Sequence, residues 1–289
     1  MKGIVLAGGL GTRLHPLTSS CSKQLLPVYD KPLIYYPLCT LLNMGVKEIL
    51  CITRASDTDS FFNLLGDGSQ WGISIQYAIQ NEPKGIAEAF IIGDKFIGRG
   101  SVTLILGDNL FYGSSITAGV KEDKEFLGGG RVFAYQVPDP ERYGVVELSN
   151  EGKALSIEEK PSSPKSNYAV TGLYIYDNSV VERAKRLKPS SRGELEISDI
   201  NQSYLEELKL EVSILDEGST WFDAGTPDSL IQASQFVQSV QKRQSAMIGS
   251  PEETALRNKL ITKDEFDEIA NNYSKGSYGN YLRHERNSS

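Results

Sequence analysis

The sequence predicts an α/β protein: a three-layer core on a mostly parallel, mixed sheet, followed by a helical appendage from residue 228. Three observations lead there. Apolar runs of strand length alternate with helical stretches through the first half. Those runs are nearly continuously apolar, as strands buried on both faces must be. After Thr226 the pattern turns wholly helical, with prolines and capping residues at the starts.

The elements follow in chain order. Apolar runs at 4–7, 48–53, 73–79 and 102–106 read as strands. Between the first two, Pro32 starts a helix carrying Leu33, Ile34, Leu38, Leu41 and Leu42, with Gly45 as its stop. Pro37 should kink that helix or shorten its first turn. Further helices read at 57–65, closed by Gly66, and at 85–96. The second half changes character. Residues 131–137 read as a strand, 144–148 and 154–159 as a hairpin around Asn150-Glu151-Gly152, and 169–176 as another strand. Mixed pairing is expected there. Helices follow at 179–187 and 198–208. Thr226-Pro227 opens a long helix. Ser250-Pro251-Glu252-Glu253 and Thr262-Lys263-Asp264-Glu265 fit capping boxes. The predicted division is a core of residues 1–227 and a helical region of residues 228–289.

Composition narrows the function classes. The chain has 289 residues and a net charge of −7, which argues against wholesale nucleic-acid binding. A local convergence of cations can still hold an anionic nucleotide. Three dispersed cysteines, Cys21, Cys39 and Cys51, form neither a disulfide framework nor a zinc pattern. No apolar run approaches the ~20 residues of a membrane span. With strand one at the start and no signal-peptide pattern, a cytoplasmic location is expected.

Chemistry concentrates at the exit of the first strand. Residues 4–7 run straight into Gly8-Gly9-Leu10-Gly11-Thr12-Arg13, and Lys23-Gln24 follow. Glycines let backbone N–H groups approach a polyphosphate, and Arg13 and Lys23 add fixed positive charge. The dinucleotide-binding fingerprint is incomplete, because Leu14 takes its third glycine position. A second candidate is Gly107-Asp108-Asn109 at the end of the 102–106 strand. Ligands bind beyond the carboxyl ends of such strands, so Asp108 is placed to hold Mg²⁺ against phosphate, and it equally fits an Asx turn. Asp223, between aromatic residues and a helix start, would supply a second carboxylate or simply a turn. Lys160 ends the hairpin beside two glutamates, as a solvated ion-pair partner or as a phosphate ligand. Tyr143-Gly144 offers an aromatic face and a close backbone for a sugar.

Together these segments resemble the sugar-1-phosphate nucleotidylyltransferases. The resemblance rests on Gly8 through Pro16, Ser22-Lys23-Gln24-Leu25-Leu26-Pro27, Leu106-Gly107-Asp108-Asn109, Glu158-Glu159-Lys160-Pro161 and Trp221-Phe222-Asp223-Ala224-Gly225-Thr226. It covers essentially the whole chain, and the Lys-Gln-Leu-Leu-Pro stretch narrows it to the thymidylyl branch. It implies a Rossmann-like nucleotidyltransferase core and a Mg²⁺-dependent reaction of dTTP with glucose 1-phosphate, giving dTDP-glucose and pyrophosphate. UTP is the alternative nucleotide, and a catalytically silent sugar-nucleotide-binding regulator is the alternative class. The resemblance implies that Arg13 steadies the β- and γ-phosphates, that Lys23 lies near the α-phosphate, and that Lys160 holds the sugar's phosphate. Asp108 and Asp223 match the metal ligands. Leu6, Gly8, Gly9, Gly11, Thr12, Gln24, Gln80, Pro83, Gly85 and Asp108 join Arg13 and Lys23 as nucleotide-binding positions. Asn109, Tyr143, Gly144, Glu159 and Val170 join Lys160 in the sugar pocket. A homotetramer is also implied. At the family's regulatory site between subunits, Glu253 and Arg257 match, whereas Glu217 and Thr117 depart.

Overall fold

The structure is a computed structural model and describes residues 1–113, 116, 128–244, 247–273 and 276–285. Among these the strands are β1 (Lys2–Ala7), β2 (Pro27–Val28), β3 (Lys31–Pro32), β4 (Glu48–Thr53), β5 (Ser74–Ile79), β6 (Val102–Leu106), β7 (Asn109–Tyr112), β8 (Gly130–Gln136), β9 (Gly144–Leu148), β10 (Ala154–Glu159), β11 (Tyr168–Tyr176), β12 (Leu210–Ile214) and β13 (Thr220–Asp223). The helices are α1 (Tyr35–Asn43), α2 (Thr58–Leu65), α3 (Glu88–Ile92), α4 (Asp94–Ile97), α5 (Ser179–Arg186), α6 (Ile197–Glu206), α7 (Pro227–Gln244), α8 (Pro251–Arg257), α9 (Lys263–Asn272) and α10 (Ser277–Glu285).

A nine-stranded mixed sheet carries the fold. Its N-terminal half is all parallel. β1 lies between β4 and β6, with Val5 opposite both Cys51 and Ile105, and β5 continues beyond β4. The second half joins through β11, antiparallel to β6 and to β8. β12 then runs parallel to β8, and the β9–β10 hairpin meets β11 at Val145 and Ala169. This is the mixed pairing expected beyond residue 130.

Helices cover both faces of the sheet. One apolar layer joins Val5, Leu38, Leu41, Phe61 and Trp71 to Ala255, Ile261, Phe266 and Leu282 from the C-terminal helices. The opposite layer joins Ile4, Leu104 and Tyr176 to Phe90, Ile97, Val180 and Ile200. The C-terminal helices thus share a core with the sheet. Glu252, fully buried at the start of α8, fastens them there. It accepts hydrogen bonds from Trp71 Nε1 (3.1 Å), Tyr273 Oη (2.7 Å) and Tyr278 Oη. A third cluster seats Leu230, Ala233 and Val237 of α7 behind Leu14, Val28 and Leu33, next to the glycine loop. No helix among the described residues is long and apolar enough to cross a membrane.

Two local expectations change, and the caps form where they were expected. Helix α1 starts at Tyr35, because Pro32 pairs with Pro27 in a two-residue ladder. Pro37 then falls in the first turn, where its missing N–H has no intrahelical partner to lose. The helix read over 85–96 is two, α3 and α4, parted at Gly93. A Cβ there would sit 2.9 Å from Ile4 Cδ1 and 3.0 Å from Ala89 O, so the break lets the backbone lie directly on β1. At the C-terminal caps, Thr262 and Glu265 form the full reciprocal box, and Ser250 Oγ accepts from the Glu253 N–H at 3.2 Å.

Candidate active site

The site forms beyond the carboxyl ends of β1 and β6, as open parallel sheets dictate. β1 stops at Ala7, and the loop through Gly8–Gly11 leads into a single 3-10 turn, Thr12–Leu14. Gly11 is left-handed (φ 63°), and Thr18 Oγ1 donates to its carbonyl at 2.9 Å. Gly8 is required by a close approach: a Cβ would stand 2.1 Å from Gln80 Oε1. Gln80 is itself buried, and its Nε2 donates to Glu88 Oε2 at 2.7 Å. With the amide so oriented by its hydrogen bonding, Oε1 faces the glycine loop as an acceptor.

Two carboxylates meet although they are remote in sequence. β7, which begins one residue after Asp108, pairs antiparallel with β13, so that Asn109 stands opposite Asp223. The Ala224 N–H donates to the Asp108 carbonyl at 3.0 Å, closing the ladder. Asn109 then works as a bracket. Its Nδ2 donates to Asp108 Oδ1 (2.9 Å), and its Oδ1 accepts from Gly172 N (3.0 Å) and Trp221 Nε1 (2.6 Å). The Lys23 ammonium is ion-paired with Asp108 Oδ2.

The electrostatics of the pair are asymmetric. Burial pushes Asp108 upward, but Lys23 and the Asn109 amide outweigh it, and the carboxyl sits below its ordinary range. Burial, with the charge of Asp108 beside it, holds Asp223 above that range. Asp223 therefore carries a negative charge that its surroundings leave under-compensated. An all-oxygen donor pair of this kind fits a hard divalent cation, with the remaining positions left for phosphate oxygens and water. Gly225 keeps Arg13 close to it: a Cβ on Gly225 would lie 2.7 Å from Arg13 Nη2 and 2.8 Å from Asp223 Oδ1.

Two cavities flank this centre. One, of about 280 Å³, is lined by Leu6, Gly9, Arg13, Lys23, Gln24, Gln80, Pro83, Gly85 and Asp108. Gly8, Gly11 and Thr12 are not among its lining residues; the missing Cβ atoms of the two glycines leave room for Gln80 and Thr18. The other, of about 170 Å³, is lined by Asn109, Tyr143, Gly144, Glu159, Lys160, Val170 and Asp223 among others. Arg13, Ile86, Leu106 and Asp108 line both, so the chambers share one wall. In the smaller chamber Glu159 is fixed by Ser198 Oγ (2.5 Å) and Arg192 Nη2 (3.4 Å). Lys160 adopts φ 43°, a left-handed backbone uncommon for a residue with a side chain, while its N–H donates to the Tyr143 carbonyl at 2.9 Å. Local strain of this kind clusters at functional sites.

Several participants were not legible beforehand. Glu88 orients Gln80, and Arg192 and Ser198 orient Glu159. Arg142 and Tyr174 line the smaller chamber. Only Trp221 lay inside a motif, and its indole role as anchor of Asn109 carries no sequence signal. A separate cavity of about 480 Å³ is lined by Glu253, Arg257, Tyr112 and Gly218 among others. Thr117 lies outside the described residues.

The arrangement of a glycine–arginine loop, two facing carboxylates and paired chambers defines an enzyme that transfers nucleotidyl groups. The chain belongs to the nucleotidyl transferase family, whose model matches residues 2–240. It is 56% identical to the glucose-1-phosphate thymidylyltransferase of Neisseria meningitidis serogroup A over 98% of each chain. It is 52% identical to the enzyme of that name from Mycolicibacterium smegmatis, again over 98% of each. Among solved structures, a Bacillus anthracis protein assigned as a glucose-1-phosphate thymidylyltransferase and crystallised with sucrose is similar. It has a TM-score of 0.77 and 42% identity, over 82% of this chain and 94% of that one. A UDP-glucose pyrophosphorylase complexed with UDP-glucose is similar with a TM-score of 0.72 and 25% identity, over 84% and 99%.

Proposed function

We propose that the protein transfers the thymidylyl group of dTTP to α-D-glucose 1-phosphate, giving dTDP-glucose and pyrophosphate. The observation that carries this reading is the shared wall of the two chambers at Arg13 and Asp108. A nucleotide in the larger chamber and a sugar phosphate in the smaller would bring their phosphates together there. An oxygen of the sugar phosphate attacks the α-phosphorus, the bond to the β-phosphate oxygen breaks, and pyrophosphate leaves. A phosphate monoester has lost most of its second proton at neutral pH, with pKa about 6. It needs no general base, so alignment and charge neutralisation supply the catalysis.

Each residue then has a task. Gln80 Oε1 accepts from the pyrimidine N3–H, and Gly9 and Gly85 admit the nucleotide at close range. Lys23 passes from Asp108 toward the α-phosphate, while Arg13 steadies the β- and γ-phosphates. Glu159, held by Ser198 and Arg192, accepts from sugar hydroxyls. Tyr143, Gly144, Asn109 and Val170 line the ring's chamber, and Lys160 meets the sugar's phosphate. Asp108 and Asp223 would hold Mg²⁺, which when bound neutralises phosphate charge and polarises the α-phosphate.

The test is pyrophosphate release by the purified protein with dTTP or UTP and glucose 1-phosphate. Faster turnover with dTTP supports the reading, and equal or better use of UTP overturns the thymidylyl assignment. The UTP reading has its own support in the likeness to the UDP-glucose pyrophosphorylase, and Gln80 meets an edge that thymine and uracil share. Normal nucleotide binding without pyrophosphate release for any sugar phosphate would favour the silent regulator. The resemblance further supports residues 1–227 as the catalytic unit and 228–289 as the part serving assembly and regulation, in a cytoplasmic homotetramer. Light scattering of the eluting protein tests the assembly. Glu217 and Thr117, where the family pattern differs, support either a loss of inhibition by the usual end product or a different regulatory ligand.

A further inference from the structure

We propose that Arg142 is a second phosphate-binding cation for the sugar 1-phosphate, held in reserve by Asp139 until substrate arrives. This deepens the proposed function and rests on it. Arg142 closes the 3-10 turn Pro140–Arg142, directly before Tyr143-Gly144, and its side chain lines the smaller chamber together with Lys160, Arg13 and Asp223. It does not line the nucleotide chamber. Of the two phosphate-bearing substrates, it therefore faces only the sugar phosphate.

The chemistry of that chamber needs another cation. A sugar phosphate near neutral pH approaches a dianion, and it must lie against a second phosphate and beside Asp223. Lys160 offers one positive charge. It is half exposed, with Glu159 Oε1 at 3.8 Å. Arg13 belongs equally to the nucleotide side. A guanidinium adds a planar fork that matches phosphate oxygens two at a time.

The present partners of Arg142 are those of a group free to move. Its Nη1 donates to Asp139 Oδ2 at 2.6 Å, an i,i+3 pair on its own turn, with side chains 41% and 37% exposed. Such exposed pairs contribute little, so a dianion outcompetes the carboxylate. Its guanidinium also lies 5.3 Å from the centre of the Tyr143 ring, which keeps it along the chamber wall. The field of Asp223 reaches it as well. Neither direct partner comes from a distant element, so replacing Arg142 leaves the framework intact.

The test compares steady-state kinetics of wild type, Arg142→Ala and Arg142→Lys with dTTP and glucose 1-phosphate. Loss of a charge-assisted phosphate contact raises KM for glucose 1-phosphate about 10- to 100-fold in Arg142→Ala. KM for dTTP, and for pyrophosphate in the reverse direction, stays within about two-fold. Arg142→Lys recovers part of the loss. Asp139→Asn leaves KM for glucose 1-phosphate unchanged or lower. An unchanged KM for glucose 1-phosphate in Arg142→Ala overturns the inference. So does an increase falling instead on dTTP or pyrophosphate, or a rise in Asp139→Asn matching that of Arg142→Ala. Wild type that turns over no glucose 1-phosphate fails the functional reading itself, which separates the two failures.

Discussion

Replacing Gly8 by alanine tests whether the base pocket is built around Gln80. The new Cβ would stand 2.1 Å from Gln80 Oε1 and 3.0 Å from Gln80 Cβ. Ordinary contact needs about 3.5 Å, so the carboxamide must retreat. Retreat breaks its 2.7 Å bond to Glu88 and forces a poorer rotamer. Together these cost about 1–3 kcal/mol of stability. The nucleotide separately loses one or two hydrogen bonds to the displaced amide, about 1–3 kcal/mol in all. That corresponds to a fall of roughly 5- to 150-fold in kcat/KM for dTTP, with KM for glucose 1-phosphate unchanged. The decisive assay is a double-mutant cycle. In a Gln80→Gly background the methyl group meets neither carboxamide nor Cβ, so Gly8→Ala should cost below about 0.5 kcal/mol in kcat/KM. The full cost persisting in that background, or no loss in the single variant, would refute the reasoning.

Other perturbations reach different parts of the structure. Asp223→Asn removes a proposed metal ligand and should lower turnover by about 100-fold or more. Because burial and Asp108 already disfavour its charge, the thermal midpoint should hold or rise; a clear drop would show that the carboxylate serves the fold. Glu252→Ala strips the acceptor from Trp71, Tyr273 and Tyr278, and urea unfolding should register a loss of about 3–5 kcal/mol. A loss under about 1 kcal/mol would mean the C-terminal helices dock by apolar contact alone. Asp177 supplies a pH signature. Burial opposes its ionisation, but the Ser179 hydroxyl, the Gly129 N–H and the Tyr204 hydroxyl outweigh burial and hold it below its ordinary range. Its contribution is complete above the unfolded value of about 3.9 and is lost as pH falls through the folded one. Asp177→Asn should therefore be less stable than wild type at pH 7, with the gap closing as pH falls below the ordinary carboxylate range; a gap that persists in strong acid would contradict this.

What the sequence made legible was local or periodic. The exit of β1 into glycines, Arg13 and Lys23 follows from residue type alone, as does Asp108 at the end of a buried strand. The Thr262–Glu265 box was readable because capping is a four-residue event. What escaped depends on contacts between distant segments. Nothing near Gln80 announces that Glu88 will turn its amide, and nothing near Glu159 announces Ser198 and Arg192. The start of α1 was misplaced because Pro32 fits a helix start as well as a short ladder, and only its pairing with Pro27 decides. Gly93 read as an ordinary helical residue until Ile4 came to lie against it.

The short β7–β13 ladder has a consequence for how the molecule comes into being. The nucleotide loop is complete within the first two dozen residues, whereas the second carboxylate arrives only when β13 pairs alongside β7. A growing or prematurely ended chain can present the phosphate-binding mouth without the second carboxylate. With Asp223 as the proposed second metal ligand, turnover awaits the closing of that ladder. A chain ended before residue 220 lacks the strand that the proposed metal site requires, however well its first strands assemble.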